Sequence, residues 1–155
     1  MEQAFQLEIF PKIGLNTFKF GANSTEAIKL FGEPEETENL KDDVLHANSL
    51  VYHYWKKGFS LFFNANSNLI FTCAEIDNPD SVLFGEKIFG LDEEGITKLF
   101  EKNGYQLTET EDHEWGEKRV SFDDALIDLY FENGELASVN FGLFPDESSF
   151  FYFPN

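Results

Sequence analysis

A 12-residue segment occurs twice in this 155-residue chain, as FGANSTEAIKLF beginning at Phe20 and as FGLDEEGITKLF beginning at Phe89. In each copy, a polar residue that can cap a helix precedes an amphipathic stretch that ends in Lys-Leu-Phe. The capping residue is Asn23 or Ser24 in the first copy and Asp92 in the second. Self-similarity at a fixed spacing is the sequence signature of a repeated structural unit, so the spacing constrains the fold more than any other feature.

The residues around the first helix predict strands. Residues 4–10 alternate apolar and polar side chains, as a half-buried strand does. After the helix, residues 33–48 are acidic and weakly patterned, and they predict a loop. Residues 49–55, 59–64 and 69–77 are rich in aromatic and β-branched side chains and are separated by short turns, which predicts an antiparallel meander.

The second half follows the same order, with a helix from Asp92 and then β-rich runs around the hairpin signal Asn133-Gly134. The break at Asn78-Pro79 separates the halves. The predicted fold class is therefore α+β: two similar modules, each a short helix packed on an antiparallel β-meander. The first module is residues 1–79 and the second is residues 80–155, and a single continuous domain containing both stays open.

The segment GANSTEAIKLFGEPE, which starts at Gly21, resembles the helix motif of the SmpA/OmlA family. The positions that fit this motif are Gly21, Ser24, Glu26, Ile28, Leu30, Gly32 and Pro34. The tandem arrangement of helix and meander is similar to that of the β-lactamase-inhibitor-protein group. The second copy departs from the motif, because Glu101 replaces the terminal glycine and no proline follows. The resemblance implies a fold and protein binding by an exposed sheet face. It transfers no catalytic residue, and without a lipoprotein signal it implies no lipid-anchored role.

The chain is strongly acidic, with 29 Asp and Glu residues, 11 Lys and Arg residues and a formal net charge of −18. Arg119 is the single arginine. A field of this sign repels the phosphates of nucleic acids and anionic lipid surfaces, so neither is an expected partner. The same field speeds encounter with a basic protein, of which a toxin nuclease domain is one example. Simple solubility is the alternative explanation and stays open.

No pattern in the chain predicts a catalytic, cofactor or metal site. Cys73 lies in the apolar run LIFTCAEI, which favours a buried structural thiol over a nucleophile. The histidines His46, His53 and His113 do not have metal-ligand spacing. The adjacent acids Asp123-Asp124 are more consistent with a solvated face than with acid–base catalysis. We therefore expect no metal, no cofactor and no enzymatic activity.

The remaining candidate is surface recognition. The predicted partner-binding residues are four acids for basic groups of a partner and three aromatic anchors: Glu109, Glu111, Asp112, Glu114, Tyr52, Tyr54 and Trp115. The aromatic residues at 150–153 fit either a core strand or an interface. Whether the chain forms a homo-oligomer also stays open.

The predicted function is that of an acidic cytoplasmic protein-binding inhibitor, an immunity protein that neutralises a cationic toxin domain. The cytoplasmic location is expected because no signal peptide or apolar span is found in the sequence. Two alternatives stay open. One is a small-ligand-binding protein or enzyme with a pocket between the two modules, and the other is a structural assembly module.

Overall fold

The computed structural model describes residues 6–42, 47–64 and 69–142, and this part has a mixed α+β fold that is mostly β. Its helices are α1 (Ser24–Phe31) and α2 (Glu93–Lys102). Its strands are β1 (Glu8–Phe10), β2 (Gly14–Leu15), β3 (Phe18–Lys19), β4 (Glu36–Asp42), β5 (Ala47–Tyr54), β6 (Phe59–Asn64), β7 (Ile70–Ile76), β8 (Val82–Leu83), β9 (Glu86–Lys87), β10 (Glu109–Asp112), β11 (Glu117–Phe122), β12 (Ile127–Glu132) and β13 (Glu135–Gly142). The residues at 150–153 lie outside the described part.

The strands form two sheets. The large sheet has eight antiparallel strands in the order β10-β11-β12-β13-β7-β6-β5-β4, and the small sheet has the order β3-β2-β1-β8-β9. In the small sheet, β1 pairs with β8 in parallel, with Glu8 opposite Val82. Strands from both sides of Asn78 therefore join in each sheet. The division of the chain at residues 79 and 80 stays a prediction.

Both predicted helix caps are confirmed. Asn23 Oδ1 accepts a hydrogen bond from the backbone N–H of Glu26 at 3.1 Å, and Asp92 Oδ1 accepts one from Gly95 at 2.8 Å. Gly32 ends α1 with φ of 85°, a conformation that a residue with a Cβ rarely adopts. Neither described helix is long and apolar enough to cross a membrane.

Aromatic side chains hold the helices on one face of the large sheet. Phe31 of α1 packs edge-on against Tyr54 and Phe59, with ring centroids 6.0 and 5.0 Å away. Phe100 of α2 stacks on Phe122 of β11 at 3.9 Å. These rings belong to a single buried cluster that also includes residues of the small sheet. The helices and the small sheet therefore cover the same face of the large sheet.

Strand β4 corrects the loop predicted for residues 33–48. It pairs with β5 from Glu36 opposite His53 to Asp42 opposite Ala47, at the edge of the large sheet. Residues 36–40 are all exposed. Because residues 36–40 are exposed on both faces of this strand, they lack the alternation by which a half-buried strand is recognised.

The side-chain alternation of β5 corrects two predicted partner contacts. Tyr52 and Tyr54 are 8% and 1% exposed and point into the core, so neither side chain is accessible to a partner. The Tyr54 hydroxyl donates a hydrogen bond to the carbonyl oxygen of Gly32 at 2.9 Å, and burial raises the pKa of Tyr54. His53 and Trp55 lie on the opposite face, and Trp55 is 57% exposed.

This alternation predicts opposite effects of substitutions at neighbouring positions. Tyr54→Ala should lower the free energy of unfolding by about 3–5 kcal/mol, as for other buried aromatic side chains, because it leaves a cavity. Trp55→Ala should change it by no more than about 0.5 kcal/mol, as is usual for surface positions. Urea denaturation of the two variants checks this. Equal losses, or the larger loss at Trp55, would show that the alternation is reversed.

Candidate functional site

A line of polar side chains crosses all strands of the large sheet on the face away from the helices. Directly opposed residues of antiparallel strands point to the same face, so the pairing register defines this line. We call it the polar row; from β4 to β10 it consists of Glu36, His53, Ser60, Glu75, Asn140, Asp128, Ser121 and Glu109. Core residues such as Tyr54, Phe59 and Ile76 form the neighbouring line on the opposite face.

Arg119 neutralises the β10 end of the polar row. Its Nη2 lies 2.7 Å from Glu111 Oε2 and 3.5 Å from Glu109 Oε1, and its Nη1 lies 3.8 Å from Asp128 Oδ1. Ser121 Oγ accepts a hydrogen bond from Arg119 and donates one to Asp128 Oδ1 at 2.6 Å. The fold thus brings Glu109 and Glu111 together, but an internal guanidinium already binds both.

His113 extends this network around the β10–β11 turn. Its Nε2 lies 3.0 Å from Glu111 Oε1, and its Nδ1 lies 3.2 Å from Glu117 Oε1. The hydrogen bond with Glu117, together with that to Glu111, raises the pKa of His113 above its ordinary value. Hydrogen bonds from Arg119 and then from His113 lower the pKa of Glu111.

The other predicted binding residues of this region are dispersed. Asp112 lies opposite Lys118, on the helix-facing side of β10, where Lys118 Nζ binds Glu93 at 2.9 Å. Glu114 is exposed at the start of a 3₁₀ turn. Trp115 has its backbone in the same turn, and its side chain lies outside the described part. Strand alternation and the turn therefore separate acids that are adjacent in sequence.

Unneutralised acids lie at and beside the middle of the polar row, unlike at its β10 end. The carboxylates of Glu75, which belongs to the row, and of Glu132, which lies beside it, accept no hydrogen bond or ion pair from the described residues. Asn140 Oδ1 is buried and has no hydrogen-bond partner there either, although Tyr130 shares a hydrogen bond with the Asn140 side chain. These groups and Glu117 line a shallow cavity of about 180 Å³. We call Glu75, Glu117, Glu132, Tyr130 and Asn140 the row centre.

The sequence gives little indication of the row centre. Glu75 and Asn140 are opposed only because β7 pairs with β13, and these strands are far apart in the chain. The acidic clusters that attract attention in the sequence surround Glu109 and Asp123 instead. Each of two strands has an acid that alternates with apolar residues, and this pattern could have indicated the site. Without the pairing register, however, the pattern does not show that the two acids lie on one surface.

Near the β4 end of the polar row, the imidazole of His53 makes hydrogen bonds through both ring nitrogens. Its Nδ1 is 2.7 Å from Ser60 Oγ, and its Nε2 is 2.9 Å from Glu38 Oε1. The indole of Trp55 stacks on the imidazole with ring centroids 4.1 Å apart and planes 10° apart. The histidine predicted on the solvent side of the strand thus supports an exposed aromatic ring.

The structure offers no metal or thiol chemistry in its described part. No group of three or more His, Cys, Asp and Glu residues there could hold a metal ion, and His46 lies outside it. Burial, followed by the negative charges of Glu75 and Asp128, raises the pKa of Cys73 to about 12. Its thiol therefore stays protonated near neutral pH and is a poor nucleophile.

No protein-family model and no curated protein matches this chain. Among solved structures, it is similar to an extracellular protein containing a SCP domain from Bacillus anthracis str. Ames, with a TM-score of 0.49 and 14% sequence identity. The match covers 88% of this chain and 49% of the other, so the chain spans about half the length of that structure. A similarity of this degree assigns neither a family nor an activity.

The contacts of His113 predict a measurable titration. Its raised pKa means that its charged form stabilises the folded state below the unfolded-state pKa and loses this effect as pH rises through the folded-state pKa. The lowered pKa of Glu111 sets the acidic limit, because that contribution is lost as pH falls through it. NMR titration should therefore place the pKa of His113 above its value in the urea-unfolded chain.

Glu117→Gln should lower the His113 pKa, because it removes the main hydrogen-bonding carboxylate. Glu101→Gln, on the exposed surface of α2, is the matched control and should leave it unchanged. A His113 that titrates at or below the unfolded-chain value would contradict the network.

Proposed function

We propose that this chain is a protein-binding protein that captures a basic protein through the row centre, in the way that an immunity protein captures and neutralises a cationic toxin domain. The observation that supports this most is that Glu75 and Glu132, whose carboxylates have no partner among the described residues, line one shallow cavity with Tyr130 and Asn140. A lysine or arginine of a partner would supply the positive charge that Glu75 and Glu132 lack among the described residues.

The energetics favour this position over the β10 end of the polar row. At the row centre, a partner's cation would meet Glu75 and Glu132, whose carboxylates no cation of the described part already binds. At the β10 end, a partner's cation would first have to compete with Arg119, which lies 2.7 Å from Glu111. The net charge of −18 would steer a basic partner from a distance, and the row centre would determine where it docks.

Aromatic side chains on the same face can supply the apolar part of such an interface. Tyr130 belongs to the row centre, and Trp55 is exposed near the β4 end of the polar row. Tyrosine and tryptophan are enriched among the residues that dominate binding energy in protein interfaces. They take the role that the sequence had suggested for Tyr52 and Tyr54.

We also propose that the chain consists of two similar modules, each with a helix followed by antiparallel strands. Helix α1 is followed by the four antiparallel strands β4 to β7, and α2 is followed by β10 to β13. The last strand of each set meets the other at the middle of the large sheet. In this proposal the chain acts in the cytoplasm, without a catalytic step, metal or cofactor, and the interface of its modules forms the row centre.

Charge reversal at the row centre tests the proposal. The variant Glu75→Lys/Glu132→Lys should lose capture of basic proteins from a lysate of the native host, and its association rate with a captured protein should fall roughly tenfold or more at low salt. The control Glu86→Lys/Glu101→Lys has the same net charge change at exposed positions elsewhere and should retain capture.

Two outcomes would refute the proposal. One is that no basic protein is captured at low ionic strength. The other is that both double variants capture it equally, which would leave only the net charge as an explanation. The toxin-neutralising form has its own test: co-expression should rescue growth of cells that express the captured protein, and the row-centre variant should not.

A further inference from the structure

The most exposed large apolar side chain of the described part, Trp55, is rigidly supported. It is 57% exposed, yet its ring stacks flat on His53 at 4.1 Å. His53 is in turn held through both ring nitrogens, by Ser60 at 2.7 Å and by Glu38 at 2.9 Å. One face of the indole is therefore fixed against the protein. The other is available without a large loss of side-chain entropy on binding.

Trp55 borders a cavity of about 430 Å³ between two tightly connected loops, residues 55–58 and 77–80. Asn78 Nδ2 donates a hydrogen bond to the Lys57 carbonyl at 2.7 Å, and the N–H of Asp77 donates one to the Gly58 carbonyl at 2.9 Å. A Cβ on Gly58 would lie 2.8 Å from the Cα of Asn78, so only glycine permits this approach. The cavity is thus preformed.

The charges around the cavity are only partly compensated. Lys57 Nζ donates a hydrogen bond to the Phe31 carbonyl at 2.8 Å, and Asp80 pairs with Lys87 at 3.4 Å. The Asp77 carboxylate has no side-chain partner among the described residues, and neither has the Lys56 ammonium group. An indole face and an unpaired carboxylate therefore line the same cavity.

We propose that this cavity is the binding site for an arginine side chain of a basic protein partner. The guanidinium group would stack on the free face of Trp55 and pair with Asp77. A planar, delocalised cation suits both contacts, because guanidinium stacks on aromatic rings and binds carboxylates through two parallel hydrogen bonds. The net charge of −18 favours a cation over the anion that Lys56 alone would attract. The identity of the partner rests on the proposed function; the site itself does not.

Peptide titrations followed by NMR test the site directly. The probe is acetyl-Gly-Arg-Gly-amide, added to the full chain at physiological salt, and the signal is the indole N–H of Trp55, assigned by its loss in Trp55→Phe. Its cross-peak should shift saturably with a dissociation constant of roughly millimolar or weaker, as one stacked ion pair allows. The same peptide with glutamate in place of arginine should not shift it.

Variants of the charged residues sharpen the test. Asp77→Asn should weaken binding about 3-fold, and Lys56→Ala should strengthen it about 2-fold, as expected for exposed charge pairs. Asp124→Asn changes the charge equally at an exposed position in a 3₁₀ turn elsewhere and should leave the affinity unchanged.

Three results would overturn the proposed site. The Trp55 signal could stay fixed at the highest soluble concentration of the arginine peptide. It could respond equally in Asp77→Asn, or it could respond to the glutamate peptide instead, which would indicate an anion site at Lys56. Any of these leaves the row centre untouched, because capture that depends on Glu75 and Glu132 would still support the proposed function. Conversely, a saturable arginine site in a chain that captures no basic protein would refute that function alone.

Discussion

Strands β7 and β13 pair from Val139 opposite Ile76 to Gly142 opposite Cys73, and this ladder joins the strands that follow each helix into one sheet. The approach is close, since a Cβ on Gly142 would lie 2.6 Å from the Cα of Cys73. Through this ladder, the apolar residues of both halves line a single buried cluster. The same ladder aligns the polar residues of all eight strands on the other face. The core and the polar row are thus the two sides of one register.

The polar row shows how one arginine can divide an acidic surface into two regions. Arg119 binds three carboxylates at the β10 end, and His113 there contacts Glu111 and Glu117. Arg119 also lies opposite Tyr130 and His113 binds Glu117, but the carboxylates of Glu75 and Glu132 bind neither of these bases nor any other described residue. In a chain with net charge −18, the position of the few bases therefore decides where a partner's positive charge would be most favourable.

Features set by neighbouring residues could be predicted from the sequence. Local hydrogen bonding determines the helix caps, which are Asn23 and Asp92 as predicted. Backbone preference determines the hairpin at Asn133-Gly134, where Asn133 has a φ of 52°. The sequence pattern of β5 predicted a strand but not which of its faces is buried, because the neighbouring residues Tyr54 and Trp55 are both aromatic. Which side faces the core depends on packing against α1.

Features set by distant pairings could not be predicted. Residues 36–40 of strand β4 are exposed on both faces, and the place of this strand at the sheet edge is known only once the strand order is known. The row centre requires the β7–β13 register, which brings Glu75 opposite Asn140. The acids predicted at Glu109 and Glu111 were found on an exposed face, but their pairing with Arg119 depends on the β10–β11 register.

In the proposed function, positive charge accumulates at the row centre and not at the acid-rich β10 end. Paramagnetic relaxation of backbone amide protons by a cationic nitroxide, divided by that from a neutral nitroxide of the same size, maps this accumulation residue by residue. We expect the highest ratios around Glu75, Tyr130 and Glu132, and clearly lower ratios around Glu109 and Glu111. A maximum at Glu109 and Glu111, or a uniform ratio across the sheet, would contradict this expectation.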